Sequence, residues 1–258
     1  MNHEIIFNKY ERRGSDYHYK QIDRTISSKF NAYVLARYEI ELELIKKIIE
    51  LKSNKLIKIL DIGCGDGVIF YLLNKNFKNK NKNLKLFGID SSEIAIQVAK
   101  EKNPNAIFKI SDVYNLPFEN DYFDLIISSD VIEHVSESEK MILEIKRVGK
   151  KNSFYIIGTP IKFTEQPSDK MHFHEFFPNE FKKILLKSFY NAKVIQSHRL
   201  KYLLLYSSYV SFLNRKKLLY RKIINFMTVY LKKNPFLKIK TKDIEKYSYM
   251  FGIGKIKQ

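Results

Sequence analysis

Cysteine is nearly absent. One residue, Cys64, in a chain of 258 excludes an internal disulfide and the disulfide-framed secreted scaffolds, and fits a reducing cytoplasm. No stretch approaches the ~20 consecutive apolar residues of a membrane-crossing helix. The opening residues Met1 to Phe7 lack the basic start and apolar core of a secretory leader. The expectation is a cytoplasmic protein, peripheral at most to the inner face of the membrane. No period of about 20–50 residues recurs, which sets aside repeat architectures. Arginine is also scarce: eight residues against 38 lysines. A chain of this length holds one α/β domain of about 150–200 residues with additions.

Acids are missing from one end only. The net charge of +18 is uneven: residues from Phe181 onward carry 19 Lys and Arg against two acids, Asp243 and Glu245. The preceding 180 residues hold 27 basic and 26 acidic side chains, so the excess sits at the C-terminal end.

What is present centres on Ile59-Leu-Asp61-Ile-Gly63-Cys64-Gly65-Asp66-Gly67, followed by Val68 to Leu73 with helical spacing. This reads as a buried strand, a tight loop and a helix opening, which puts a ligand at a helix N-terminus in an open α/β sheet. A dinucleotide site needs glycine at the sixth position of G-x-G-x-x-G, but position 68 is valine and the third glycine falls at 67. No G-x-x-x-x-G-K-[ST] occurs, which excludes a phosphate-cradling loop. Asp61 would repel a pyrophosphate and suits a ligand with an ammonium group. The segment Asp61 to Gly67 resembles motif I of class I S-adenosylmethionine-dependent methyltransferases.

Later segments extend that resemblance, in order and spacing, from about residue 56 to 190. Leu84 to Ile89 reads as a second strand ending in Asp90, with Ser91-Ser92 opening a helix. An acid about 20 residues past the glycines is where such sheets grip ribose hydroxyls. Ala106 to Ile110 is a third strand ending in Ser111-Asp112-Val113, similar to the acid-plus-apolar pair that reads adenine. Tyr122 to Ser129, continuing through Asp130 to Val135, resembles motif IV and its exit. Met141 to Val148 and Ser153 to Pro160 resemble the next helix and fifth strand. The family's usual Pro-Gly-Gly before that strand is replaced by Gly149-Lys-Lys-Asn152, read as a surface turn. The resemblance implies S-adenosylmethionine as cofactor, held by Asp61, Gly63, Cys64, Gly65, Asp90, Ser91, Asp112, Val113 and Ser129.

The expected fold is a doubly wound, seven-stranded, mostly parallel Rossmann-like α/β sheet with an antiparallel last strand. Residues 1–52 form an N-terminal helical arm, with an amphipathic helix within Phe30 to Leu51. In methyltransferases of this kind such an arm often closes over the cofactor, and Tyr17, His18 and Tyr19 are candidate pocket residues. Residues 53–198 form the core, 199–246 a C-terminal helical insertion, and 247–258 the final strand. The insertion is basic and apolar together, with Tyr202 to Leu213 flanked by Arg199, Lys201, Arg215, Lys216 and Lys217. That pattern suits an anionic membrane surface or a plain lid, and nucleic acid less well.

For the acceptor, histidine is the natural base near neutral pH. His134 leaves the fourth strand, and His172 and His174 follow the fifth, so all three are expected at one crevice. His-x-His-Glu-Phe resembles a motif over the acceptor pocket of small-molecule and glycan methyltransferases. The expected reaction is methylation of a hydroxyl or carboxyl on a small molecule, sugar or lipid-linked glycan. One alternative is an RNA methyltransferase, in a metal-assisted form using Asp130, Glu133, His134 and a downstream histidine. Another is a non-catalytic cofactor- or partner-binding module. The reading adopted uses no metal.

Overall fold

The computed structural model describes residues 9–25, 28–52, 56–77, 83–163, 167, 169–212, 215–239 and 246–257. The leader reading at residues 1–7 and the charges at 240–245 lie outside the described residues.

Strands β1 (Ile57–Ile62), β2 (Leu84–Asp90), β3 (Ile107–Ile110), β4 (Phe123–Ser129), β5 (Gly149–Pro160), β6 (Phe189–Arg199) and β9 (Tyr247–Ile256) form one sheet in the order β3-β2-β1-β4-β5-β9-β6. Only β9 runs antiparallel, slotted between β5 and β6. The near-continuous apolar character of β1 and β4 follows from burial on both faces. One face carries α4 (Val68–Phe77) and α3 (Ala32–Leu51). Helices α6 (Ser138–Val148) and α7 (Pro178–Ser188) cover the other, and α5 (Glu93–Lys102) links β2 to β3. Strand order reverses between β1 and β4, and such a switch point opens a crevice at the strand C-termini.

Two glycines in the loop after β1 show why the spacing is unusual. Gly67 has φ +77°, and a Cβ there would meet Ala99 of α5 at 3.0 Å, so this third glycine serves helix packing. Gly65, at φ +55°, has the Tyr10 hydroxyl where its Cβ would be, so it admits the arm. Gly149–Asn152, expected as a surface turn, instead begins β5, with Asn152 at φ +60° beside a register shift against β4.

The arm consists of α1 (Lys9–Arg13), α2 (Tyr17–Ile22) and α3. Asn31 caps α3 by accepting from the backbone N–H of Tyr33 and Val34. Although read as amphipathic, α3 is buried on two sides. One packs on the sheet and α4; the other meets the segment after β6 through Leu35 and Ala36. That segment contains α8 (Leu200–Ser207), a hairpin of β7 (Val210–Phe212) and β8 (Arg215–Lys217), and α9 (Leu219–Val229). The hairpin departs from the all-helical expectation, and its Tyr-Val-Ser-Phe run has the β-branched and aromatic residues strands favour. Tyr206 accepts from Ala32 N–H and donates to Asn225, while Asn225 and Asn234 donate to the carbonyls of Phe30 and Ala32.

Candidate active site

A cleft of about 260 Å³ opens at the C-terminal ends of β1 to β4. Its floor is Asp61, Gly63 and Cys64 after β1, Asp90 and Ser91 after β2, and Asp112 and Val113 after β3. Ser129 and Asp130 close the β4 side. Of the residues expected around a cofactor, all but Gly65 line this cleft. Gly65 is engaged through its backbone, donating its N–H to Asp90 Oδ2 at 2.9 Å while Ser92 donates to Oδ1 at 2.9 Å. Asp112 is exposed, with Oδ1 accepting from the backbone of Tyr114 and Asn115 to shape its own turn. Burial raises the Cys64 thiol well above its ordinary value, so it is an inert wall.

The floor is crowded with acids. Burial pushes the Asp61 carboxyl well up, reinforced by the charges of Glu41 and Asp90. Burial likewise raises Glu41 to about 7, although Ser129 Oγ donates to it at 2.6 Å. Such a set of mutually repelling carboxylates favours a cation among them.

The roof comes from the arm, much of it missed in the sequence. Lys9, Tyr10 and His18 reach over the loop from α1 and α2, and Arg37 and Tyr38 point in from α3, the helix that also sends Glu41 down to Ser129 among the floor acids. His18 lines the cleft, whereas Tyr19 lines a separate groove and Tyr17 neither. The latch is Asp66, fully buried, which accepts from the backbone N–H of His18 at 2.9 Å and from its Nδ1 at 3.0 Å. Lys9 Nζ donates to His18 Nε2 at 2.9 Å, so the ring is neutral, with burial lowering it to about 4. Burial and then Arg37 lower Lys9 itself to about 8. The one signal for it in the sequence is that Arg37 and Glu41 stand four residues apart, and so on one face, within the apolar α3.

Beside the cleft lies a second cavity of about 200 Å³, sharing Lys9, Arg37, Asp130, His134 and Met171 with the first. His134 ends a 3-10 turn (Ile132–His134) whose Glu133 carbonyl accepts from Phe173 and His174 N–H. That docking brings His172 to His134, ring centroids 4.8 Å apart. His134 Nδ1 donates to the Met171 carbonyl at 2.8 Å, which leaves the lone pair on Nε2; burial, then His172 and Lys9, lower it to about 4. His172 Nδ1 bonds buried Glu175 at 2.6 Å. His174 is not brought in: its Nε2 pairs with Glu180 at 2.9 Å, at the start of α7.

Asp130 holds a positive φ of 56°, which a non-glycine residue adopts at some cost. It forms an ion pair with Arg37 and accepts from Tyr249 at 2.9 Å, so it does not converge with Glu133. Donor atoms of Glu133, His134 and His172 lie within 4.8 Å of one another. Donors on one ion at about 2.1 Å sit no more than about 4.2 Å apart, so a shared ion would need the set to contract. Four cations, Lys9, Arg12, Arg13 and Arg37, line the same cavity and oppose another.

Residues 53–208 match the family model described as "Methyltransferase domain". The ubiquinone/menaquinone biosynthesis C-methyltransferase UbiE of Campylobacter jejuni is 33% identical over 122 residues, 47% of this chain and 51% of that protein. Norajmaline N-methyltransferase of Rauvolfia serpentina is 32% identical over 107 residues, 41% and 36% of the two chains. The chain thus spans about half the length, or less, of these curated relatives. A crystal structure of a S-adenosylmethionine-dependent methyltransferase of Thermotoga maritima superposes with a TM-score of 0.56 at 17% identity, covering 94% of this chain and 100% of that one. The strand order, the switch-point cleft and the family match agree: the chain belongs to the methyltransferase-domain family and is a class I, S-adenosylmethionine-dependent methyltransferase.

Proposed function

We propose that this methyltransferase modifies a hydroxyl or carboxyl of a small molecule, sugar or lipid-linked acceptor held in the second cavity, with His134 as base. The observation that carries the reading is that His134 lines both cavities, so one ring borders the methyl donor's cleft and the acceptor's. Asp61, Gly63, Cys64, Gly65, Asp90, Ser91, Asp112, Val113 and Ser129 would hold the cofactor. The acids of the floor fit its cationic centres, and Lys9 and Arg37 fit its carboxylate. The cofactor supplies an already activated methyl group, so the protein's part is alignment and proton removal. His134 stays neutral at pH 7, the protonation state a base requires, with its Nδ1 turned to the Met171 carbonyl. His172, oriented by Glu175, is a positioning residue for that ring. The arm, residues 1–52, acts as the roof over the cofactor, and residues 199–246 as an added surface.

The C- and N-methyltransferase names of the relatives leave the acceptor atom open for this chain. Transfer of labelled methyl from S-adenosylmethionine to cell extract, split into lipid, polysaccharide, RNA and small-molecule fractions, tests the reading. Label is expected outside the RNA fraction and lost in His134→Ala. Label confined to RNA, or undiminished in His134→Ala, would refute it.

A further inference from the structure

Large apolar side chains are concentrated on the outside of the segment after β6. Among the described residues, 11 of the 22 that are exposed fall between Leu204 and Ile239. Helix α9 has two apolar sides. Ile224 and Thr228 are buried, Ile224 in the small core shared with Phe30, Ala32 and Leu35 of the arm. Leu219, Ile223, Phe226 and Tyr230 repeat at helical spacing on another side and are 45–70% exposed. A lid needs only the inner side. Neighbouring α8 adds Leu204 and Leu205, and Tyr209 follows it.

We propose that this outer face docks on an anionic lipid bilayer, an interaction independent of how the acceptor is read. Charge decides between occupants. No acid lies between Glu180 and Asp243, while exposed Lys222, Lys232, Lys233 and Lys238 surround the stripe. A second copy of the chain would set cation against cation across a self-complementary face. RNA would satisfy the lysines, but its recognition rests on phosphates and aromatic stacking and leaves Leu204, Leu219 and Ile223 in water. A bilayer with anionic headgroups takes the apolar stripe into its boundary and the lysines at its surface. Tyr209, Tyr220 and Tyr230 have the amphipathic rings that favour headgroup depth.

Sedimentation of the full chain with phosphatidylglycerol/phosphatidylcholine vesicles, against phosphatidylcholine alone, tests this. Binding is expected only with phosphatidylglycerol. It should fall at least ~10-fold in Phe226→Asp and Ile223→Asp, and roughly fivefold for each of Lys222→Gln and Lys232→Gln. Cofactor binding by calorimetry should stay unchanged in all four, which separates lost docking from lost folding and from failure of the acceptor reading. The proposal is overturned by absent vesicle binding, or by binding indifferent to Phe226→Asp. It is overturned equally by RNA competing vesicles off through the same residues, or by a dimer in light scattering that Phe226→Asp dissolves.

Discussion

On the cleft floor, Asp61, Gly63, Cys64, Asp90 and Ser91 come from two adjacent strand ends joined by one helix. The second cavity, proposed to hold the acceptor, draws Lys9, Tyr33, His134, His172 and Tyr249 from five separated segments. The charge differs as well. The floor carries buried carboxyls, with Asp61 raised by burial and by its neighbours Glu41 and Asp90, whereas the second cavity sets Lys9, Arg12, Arg13 and Arg37 against Asp130, Glu133 and Asp169, with the ring of His134 among them. The first arrangement awaits a cation; the second orients a ring that stays uncharged. Under the proposed reading, cofactor binding rests on local strand-end chemistry and proton transfer on long-range assembly.

Replacing His134 should widen that contrast most. General acid–base groups contribute about 10²–10⁴ in rate, so His134→Ala is expected to lower kcat by about 10²–10³. The cofactor Kd, measured by calorimetry, should move less than ~3-fold, because the floor is untouched. A comparable loss in both would erase the division between the two sides. His172→Ala is expected to cost kcat about tenfold and shift its pH profile, since Glu175 would then orient nothing beside His134.

The reverse experiment attacks the floor. Asp90→Ala removes the acceptor for two backbone N–H groups, of Gly65 and Ser92, and the loop after β1 keeps only its backbone bond from Cys64 to Ile89 as a tie to β2. Burying unmet donors costs about 1–3 kcal/mol, so cofactor affinity should fall by about 10–100-fold, with kcat at saturation less changed. An Asp90→Ala enzyme with normal affinity and collapsed kcat would place Asp90 on the wrong side of the comparison.

These two sides were not equally legible in the sequence. The strand–loop–helix run from Ile59 to Leu73, and the acids ending the next two strands, are local, and their order alone fixed the sheet. The arm's role was half visible. The spacing of Val34, Leu35, Tyr38 and Leu42 gave a helix, but nothing local to it marked Arg37 and Glu41 as cleft residues. They are buried because they face the end of β4, where Arg37 pairs with Asp130 and Glu41 accepts from Ser129, 88 residues further along the chain. His172 and His174 could not be told apart by spacing. A docked backbone at Glu133 turns one to His134, and Glu180 holds the other away at α7. The Asp66 latch was hidden inside the motif that drew attention to its glycines.

The arm is where the two sides meet, and loosening it should have a smaller effect on both. His18→Ala leaves buried Asp66 facing Lys9 without an intermediary. Cofactor affinity is expected to drop about 5–10-fold, with faster amide exchange across α1 and α2 and little change across β1. Equal exchange in wild type and variant would show that Asp66 is not what holds the roof. Folding stability carries a related signature. Buried His18 and His198 and half-buried His134 are lowered by desolvation to about 4, 3 and 4. The unfolded chain therefore binds more protons at these sites, and their contribution is lost as pH falls from about 6.5 toward 4.

The smallest expected effect separates the floor's charge from its shape. Glu41, raised to about 7, is partly protonated near neutrality, and Asp61 is raised too. Acids with raised folded values lose their stabilising protonation as pH rises, so the ligand-free floor grows less comfortable between about pH 5 and 7. A bound cation favours the deprotonated carboxylates, which reverses the trend: affinity should rise with pH over that window, with protons released on binding. S-adenosylmethionine carries a sulfonium as well as an ammonium, while the demethylated product keeps only the ammonium. The Kd of S-adenosylmethionine is therefore expected to tighten about 3–5-fold between pH 6 and 8, and that of the product less than ~2-fold. Calorimetry in buffers of different ionisation enthalpy reads both the affinities and the protons. Glu41→Gln should flatten the S-adenosylmethionine curve while leaving the arm, the roof and His134 in place. Identical slopes for the two ligands would mean that the floor recognises the ammonium alone, and that the acids do not distinguish substrate from product.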